Sequence, residues 1–168
     1  LARRALDQRQ GAPLAPAAVT ASAVASLPRG QLWVTRAGVY VDRLACAWMV
    51  LRFVDTDARF AFVAPGEALP AGAIPFDIAG VELGHHGARC SAEGMAARYR
   101  PEDAALRAVA EVVHDLDLKD EGFGRPEAPG LKRLLDGIVA TTPDDRERLR
   151  AAAPLFDALY AGFQAGEG

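Results

Sequence analysis

Residues 31–63 read QLWVTRAGVYVDRLACAWMVLRFVDTDARFAFV, and their pattern decides the fold. Leu32 to Arg36, with Trp33 and Val34, makes a short strand, and Ala37-Gly38 turns the chain. From Arg43 to Val54, the residues Leu44, Ala45, Cys46, Ala47, Trp48, Met49, Val50, Leu51 and Phe53 leave almost no polar face, which predicts a helix buried nearly all round. Asp42 stands where an N-cap for that helix belongs, a role worth about 1 kcal/mol. Arg59 to Val63 alternates like a strand, and Pro65-Gly66 ends it. Strand, helix and strand in that order predict a βαβ start, the opening of an α/β fold.

Toward the C-terminus, Ala73 to Ile78 reads as the next strand and Val81 to Leu83 as a short further one. Asp77 then falls late in a sheet strand, where ligand sites of α/β sheets form and where an unpaired interior carboxylate would be costly. Ser91 is placed to cap a helix reaching about Tyr99, and Pro101 to start the next, from Glu102 to about Leu116, with Leu106, Val109, Val113 and Leu116 as its apolar stripe. Leu131, Leu134, Leu135 and Ile138 mark another helix, and Thr142-Pro143 opens a last helical pair split by Pro154. The expected fold is α/β, a small mixed sheet with a βαβ start and a helical C-terminal half.

Toward the N-terminus, residues 1–30 are rich in Ala, Pro and Ser without an apolar period. They read as a flexible linker or tail ahead of a domain at 31–168. The chain opens at Leu1 rather than Met, and the tail is expected to join this domain to an upstream one that is missing here. A chain of 168 residues that is 51% apolar is large enough for one domain with a real core. A net charge of −3 gives no basic footprint for nucleic acid, and no apolar run is long enough to span a bilayer. Cys46 and Cys90 lack metal-ribbon spacing and are too few for a disulfide framework, so reduced thiols in a cytoplasmic protein are expected.

The chemistry concentrates in Ile74 to Ser91, IPFDIAGVELGHHGARCS. Asp77, Glu82, His85, His86 and Cys90 stand there among glycines that permit tight turns. Together with Asp42 and the pair His114-Asp115, this set takes in all 3 histidines of the chain. Neutral imidazole with carboxylate oxygen suits a divalent ion such as zinc, manganese or iron, and Asp42, Asp77, His85, His86 and His114 are the candidate ligands. A thiolate from Cys46 or Cys90 would suit a softer ion. The structural alternative makes His85 and His86 exposed turn residues and His114 a solvated helix end. Cys90 follows Arg89 and precedes a helix start, both of which lower a thiol pKa and favour a reactive thiolate, with His85 or His86 as its base. Cys46, inside an apolar helix, reads as inert packing. Gly122 to Pro126 reads as a turn, with Arg125 available to contact an oxyanion.

With these motifs in place, the chain from about Gln31 to Phe163 resembles the C-terminal domain of the chromate-resistance B (ChrB) family. Trp33-Val34-Thr35-Arg36, Val41-Asp42-Arg43-Leu44-Ala45-Cys46-Ala47-Trp48 with Arg52-Phe53, Ile74-Pro75-Phe76-Asp77, Gly80-Val81-Glu82-Leu83-Gly84-His85, Arg89-Cys90-Ser91 and Val113-His114-Asp115 carry the resemblance. A His commonly precedes Val-Asp-Arg in that family, whereas Tyr40 stands here, with His86 as a candidate replacement. The resemblance implies a regulator, sensor or accessory role in bacterial chromate tolerance, a stress response, beside an efflux pump and together with a further N-terminal domain. It also implies chromate or another oxyanion as partner, for which Arg43 and Arg89 are candidate contacts, with Arg36, Arg52 and Arg125 also at hand. The order Asp42, Asp77, His85-His86 is similar, more faintly, to DHH-type metal-dependent phosphohydrolases, although their Asp-His-His triplet is Gly84-His85-His86 here. Three readings stay open at this point: a sensor or accessory module, a metal-dependent hydrolase using Asp42, and a thiol-dependent chromate reductase using Cys90.

Overall fold

The computed structural model describes residues 29–120 and 122–166. The tail expected over residues 1–30 lies, through residue 28, outside the described residues. Strands β1 (Leu32–Arg36), β2 (Arg59–Val63) and β3 (Ile74–Pro75) form a sheet of order β2-β1-β3. Helix α1 (Val41–Met49) links β1 to β2 and completes the expected βαβ unit. Both pairings are parallel, so among the described strands the sheet is parallel rather than mixed. The reason is that each return, by α1 before β2 and by residues 64–73 before β3, carries the chain back to the same end of the sheet. The strand expected at Val81–Leu83 is a run of turns instead. Val81 N–H donates to Ile78 O at 3.3 Å and Gly84 N–H to Val81 O at 3.2 Å, while Asp77 N–H donates to Leu83 O at 2.8 Å, which uses the groups a ladder would need.

Helix α1 begins at Val41 with Tyr40 at its N-cap, so Asp42 lies within the first turn and does not cap its own helix. All of α1 except Arg43 is buried, because it packs against the helices α2 (Ser91–Tyr99), α3 (Ala104–Asp117) and α5 (Asp145–Gly166). Trp48 anchors that contact, stacked on Phe156 at 5.5 Å with Phe53 and Tyr160 edge-on at 5.6 and 6.0 Å. A π-helical turn, Val50–Val54, ends the helix, and the buried Asp55 follows. Burial alone would raise the Asp55 pKa, but N–H donors from Gly30 (2.8 Å), Gln31 (2.9 Å) and Trp33 (3.4 Å) hold it below the ordinary carboxylate value. This carboxylate pins the start of β1 and belongs to the scaffold.

The helical half follows as expected, with α4 (Ala128–Thr141) between α3 and α5. Asp103 rather than Pro101 opens α3, accepting Leu106 N–H at 2.9 Å and the Tyr160 hydroxyl at 2.7 Å. Helix α5 runs unbroken through Pro154 where a split pair was expected. Pro154 and Arg150 are both exposed, so the carbonyl that loses its intrahelical donor can turn to water.

Candidate metal centre

A cleft of about 480 Å³ opens at the carboxyl ends of β1 and β3, lined by Tyr40, Asp42, Arg43, Asp77, His85 and Asp117 among others. The chain leaves β1 toward β2, while β3 pairs on the other side of β1. The gap between β1 and β3 is therefore a topological switch point, the place where parallel sheets bind ligands. Asp42 reaches it from the start of α1 and Asp77 from the residues just after β3. Asp77 has φ +45, a left-handed conformation that aspartate tolerates better than most residues.

Asp42 is 3% exposed and its acceptor capacity is nearly filled. Oδ2 accepts Ser91 N–H at 2.9 Å and Oδ1 accepts Ala92 N–H at 2.9 Å, so this carboxylate caps α2 across 49 or more residues of chain. Oδ1 also takes the Cys46 thiol at 3.6 Å, and Oδ2 meets His85 Nε2 at 2.9 Å. The same nitrogen lies 3.4 Å from Asp77 Oδ1 and 3.3 Å from Asp117 Oδ2. Three carboxylates from three parts of the chain thus converge on one imidazole nitrogen. Ser91 Oγ donates to Asp77 Oδ1 at 2.7 Å, and Arg43 Nε stands 3.4 Å from Asp77 Oδ2.

The charges follow from this crowding. The hydrogen bond to Asp42 raises the His85 pKa from 6.5 to about 9 against an opposing desolvation, with the charges of Asp42, Asp77 and Asp117 adding to it. Burial and then the Asp42 charge push Asp77 up, despite Ser91, Arg43 and His85, and the same two causes lead for Asp117. The centre therefore holds a surplus of carboxylate that favours a cation. One imidazole nitrogen with hard oxygen donors fits zinc, manganese or iron(II), and Asp42, His85 and Asp117 offer ligand atoms within 4.8 Å of one another.

The other candidates fall elsewhere. His86 is exposed, with Nε2 2.7 Å from the Glu82 carbonyl, and the Glu82 carboxylate pairs with Arg98 at 2.6 Å. His114 is buried in a separate cluster, with Nδ1 2.6 Å from Glu93 Oε2 and Nε2 2.9 Å from Asp120 Oδ1. Burial opposes its charged form, but the hydrogen bonds to Glu93 and Asp120 outweigh it and raise its pKa. Arg89 is exposed on the turn that bridges to His86 and does not line the cleft. Arg125 is held by Glu111, with Nε 2.8 Å from Oε2, and so is not offered to an oxyanion.

The reactive thiolate expected at Cys90 is corrected. Cys90 is 1% exposed, and burial together with the charge of Asp42 pushes its thiol far up, while Arg89 is exposed to solvent. Cys46 is buried and pushed up for the same leading reason, in keeping with its packing role. Asp117 and Ser91 are site residues that sequence reasoning missed. Asp117 follows Val113 by four residues and so extends the apolar stripe of α3 with a carboxylate, a readable signal. Ser91 is the first residue of α2 rather than its cap, which is Cys90, and its hydroxyl turns to Asp77.

The family model described as "ChrB, C-terminal domain" matches residues 33–163. Protein ChrB of Cupriavidus metallidurans is 34% identical over 136 residues, 80% of this chain and 41% of that protein. The chain thus spans less than half the length of the curated relative it matches. No solved structure matches. Among the described residues, no helix is long and apolar enough to cross a membrane.

Proposed function

The chain belongs to the ChrB family through that family's C-terminal domain, and from that premise we propose that it serves bacterial chromate tolerance as a cytoplasmic accessory or sensor module built around one divalent cation. Asp42, Asp77, His85 and Asp117 hold the ion in this reading. The observation that carries it is the convergence of three carboxylates within 3.4 Å of His85 Nε2. In the absence of a metal, that convergence is balanced by the proton on His85 and by Arg43. A divalent ion supplies there a positive centre that can hold an oxyanion such as chromate, which the carboxylates alone would repel.

The chain's own residues prepare the pocket. Asp42 is oriented by the Ser91 and Ala92 amides, Asp77 by the Ser91 hydroxyl, and Arg43 screens Asp77 from the side. Tyr40 borders the cleft, its hydroxyl tied to Asp136 of α4. Direct oxyanion capture by Arg43 is disfavoured by that same pairing with Asp77. A net charge of −3 gives these residues no basic footprint for nucleic acid. A thiol-dependent reductase loses support from the burial of both thiols. A metal-dependent hydrolase would use the same four side chains, so metal content is the prior question.

The test is elemental analysis of tag-free protein after incubation with zinc, manganese or iron(II) and gel filtration. Wild type should retain manganese at near-stoichiometric level, Asp77→Ala and His85→Ala should lose it, and His86→Ala should not. Wild type without retained manganese or iron, or Asp77→Ala or His85→Ala protein that keeps it, would overturn the reading.

A further inference from the structure

We propose that Cys90 Sγ, Glu93 Oε2 and His114 Nδ1 form a second cation site, distinct from the Asp42 pocket and selective for a softer ion of the zinc type. The three donors lie within 4.8 Å of one another, and Cys90 and His114 are 1% and 5% exposed. Both ring nitrogens of His114 face carboxylates, Nδ1 with Glu93 Oε2 at 2.6 Å and Nε2 with Asp120 at 2.9 and 3.1 Å. A neutral imidazole has a single N–H and cannot satisfy both sides. The ring is therefore either doubly protonated or metallated on one side. Asp120 places both oxygens on Nε2, the arrangement by which a carboxylate orients a ligating histidine through its remaining N–H. Nδ1 is then the coordinating nitrogen, toward Glu93 and Cys90.

The sulfur is the second observation. Cys90 occupies the N-cap of α2, a position that selects Ser, Thr, Asp or Asn, because a thiol is a weak acceptor. Cys90 Sγ accepts the Glu93 N–H and Glu93 Oε2 the Cys90 N–H at 2.9 Å, a capping box in which a serine hydroxyl would be the stronger acceptor, while Asp42 takes the Ser91 and Ala92 amides. A thiolate and a carboxylate neutralise a divalent ion while imidazole stays neutral, so the complex is compatible with burial. Binding displaces the thiol proton and the proton on Nδ1, and both leave to solvent. Gly122 and Phe123 lie against the ring. Phe123 meets it edge-on at 4.8 Å, and Gly122 is so near that a Cβ there would stand 2.7 Å from Nε2. Three protein ligands leave a fourth coordination position.

The experiment uses cobalt(II) as a spectroscopic stand-in for zinc on the full chain. Wild type should show a near-ultraviolet thiolate-to-cobalt band. Cys90→Ser should lose the band and about one equivalent of bound cobalt per chain. Serine is the better N-cap, so this variant should fold with undiminished thermal stability, and loss of the band cannot then be ascribed to unfolding. Glu93→Gln should weaken cobalt binding by about 10-fold or more. His85→Ala and Cys46→Ser should keep the band. Wild type lacking the band, or Cys90→Ser retaining it, would overturn the second site. Failure of the Asp42 pocket is read separately, as absence of manganese retention with the cobalt band intact.

Discussion

Asp42→Ala should be one of the costliest single substitutions in this chain, and its size can be worked from the contacts. The carboxylate accepts two buried amides, Ser91 N–H and Ala92 N–H, each at 2.9 Å. Charge-assisted hydrogen bonds are worth about 1.5–3 kcal/mol each, and their loss leaves two donors of the first turn of α2 without a partner. Removing the charge also relieves Asp77 and Asp117, whose carboxyls it pushes up, and that relief offsets part of the loss. The net expectation is about 3 kcal/mol, or roughly 6–12 °C in Tm for a domain of this size. Asp42→Asn keeps one acceptor oxygen but turns an amide donor toward the other N–H, so about half the effect remains. Asp117→Asn is the control, because the Asp117 contact with His85 is a partly exposed ion pair at 3.3 Å, worth less than about 1 kcal/mol. Urea denaturation followed by fluorescence, with Trp33 and Trp48 buried in the core, gives all three values. An Asp42→Ala loss under about 1 kcal/mol, or one no larger than that of Asp117→Asn, would refute the reasoning.

Other consequences are equally open to measurement. The His85 pKa is raised from 6.5 to about 9, so its protonated pairing stabilises the metal-free fold fully below pH 6.5 and fades as pH rises through 9. An NMR titration of the ring checks this, and a midpoint near 6.5 would contradict it. Metal retention should run the opposite way, strengthening over the same window as the proton leaves. Ser91→Ala removes the hydroxyl that orients Asp77 and should weaken manganese binding by about 10-fold, by calorimetric titration, while leaving the Asp42 cap intact. Gly84→Ala would put a Cβ 2.6 Å from the Ile78 carbonyl, and the forced shift of the 78–84 turn should cost about 1–3 kcal/mol in denaturant unfolding and loosen His85 beside it.

Local patterns made much of this molecule legible. The short strand at Leu32 to Arg36 and the alternation of Arg59 to Val63 around an apolar helix announced the βαβ unit, and Asp77, read late in a strand over Ala73–Ile78 that in fact ends at Pro75, still announced the side of the sheet that bears the cleft. What escaped was what depends on partners far along the chain. Asp42 looks like a cap, and it is one, but for a helix that begins 49 residues later, and nothing local to Asp42 points there. Cys90 was misjudged because the helix start and Arg89 are visible in the sequence, whereas burial beside Asp42 and Glu93 is not. His114 and Asp117, one turn apart on α3, serve different clusters, since α2 starts between the side chains that meet them. Val81 to Leu83 had strand-like residues, but turn hydrogen bonds near the glycines at 80 and 84 claimed the backbone first.

The cap that Asp42 places on α2 bears on the order in which the chain comes together. A nine-residue helix has little stability of its own, and its first amides ordinarily exchange with solvent within the time it takes the end to fray. Here two of those amides are locked by a side chain from α1, so the start of α2 can settle only once α1 is in place against it. In native-state hydrogen exchange, the Ser91 and Ala92 amides should accordingly open together with α1 rather than with the rest of the first turn. Two amides at a helix end thereby become a clock for the assembly of the whole carboxylate cluster.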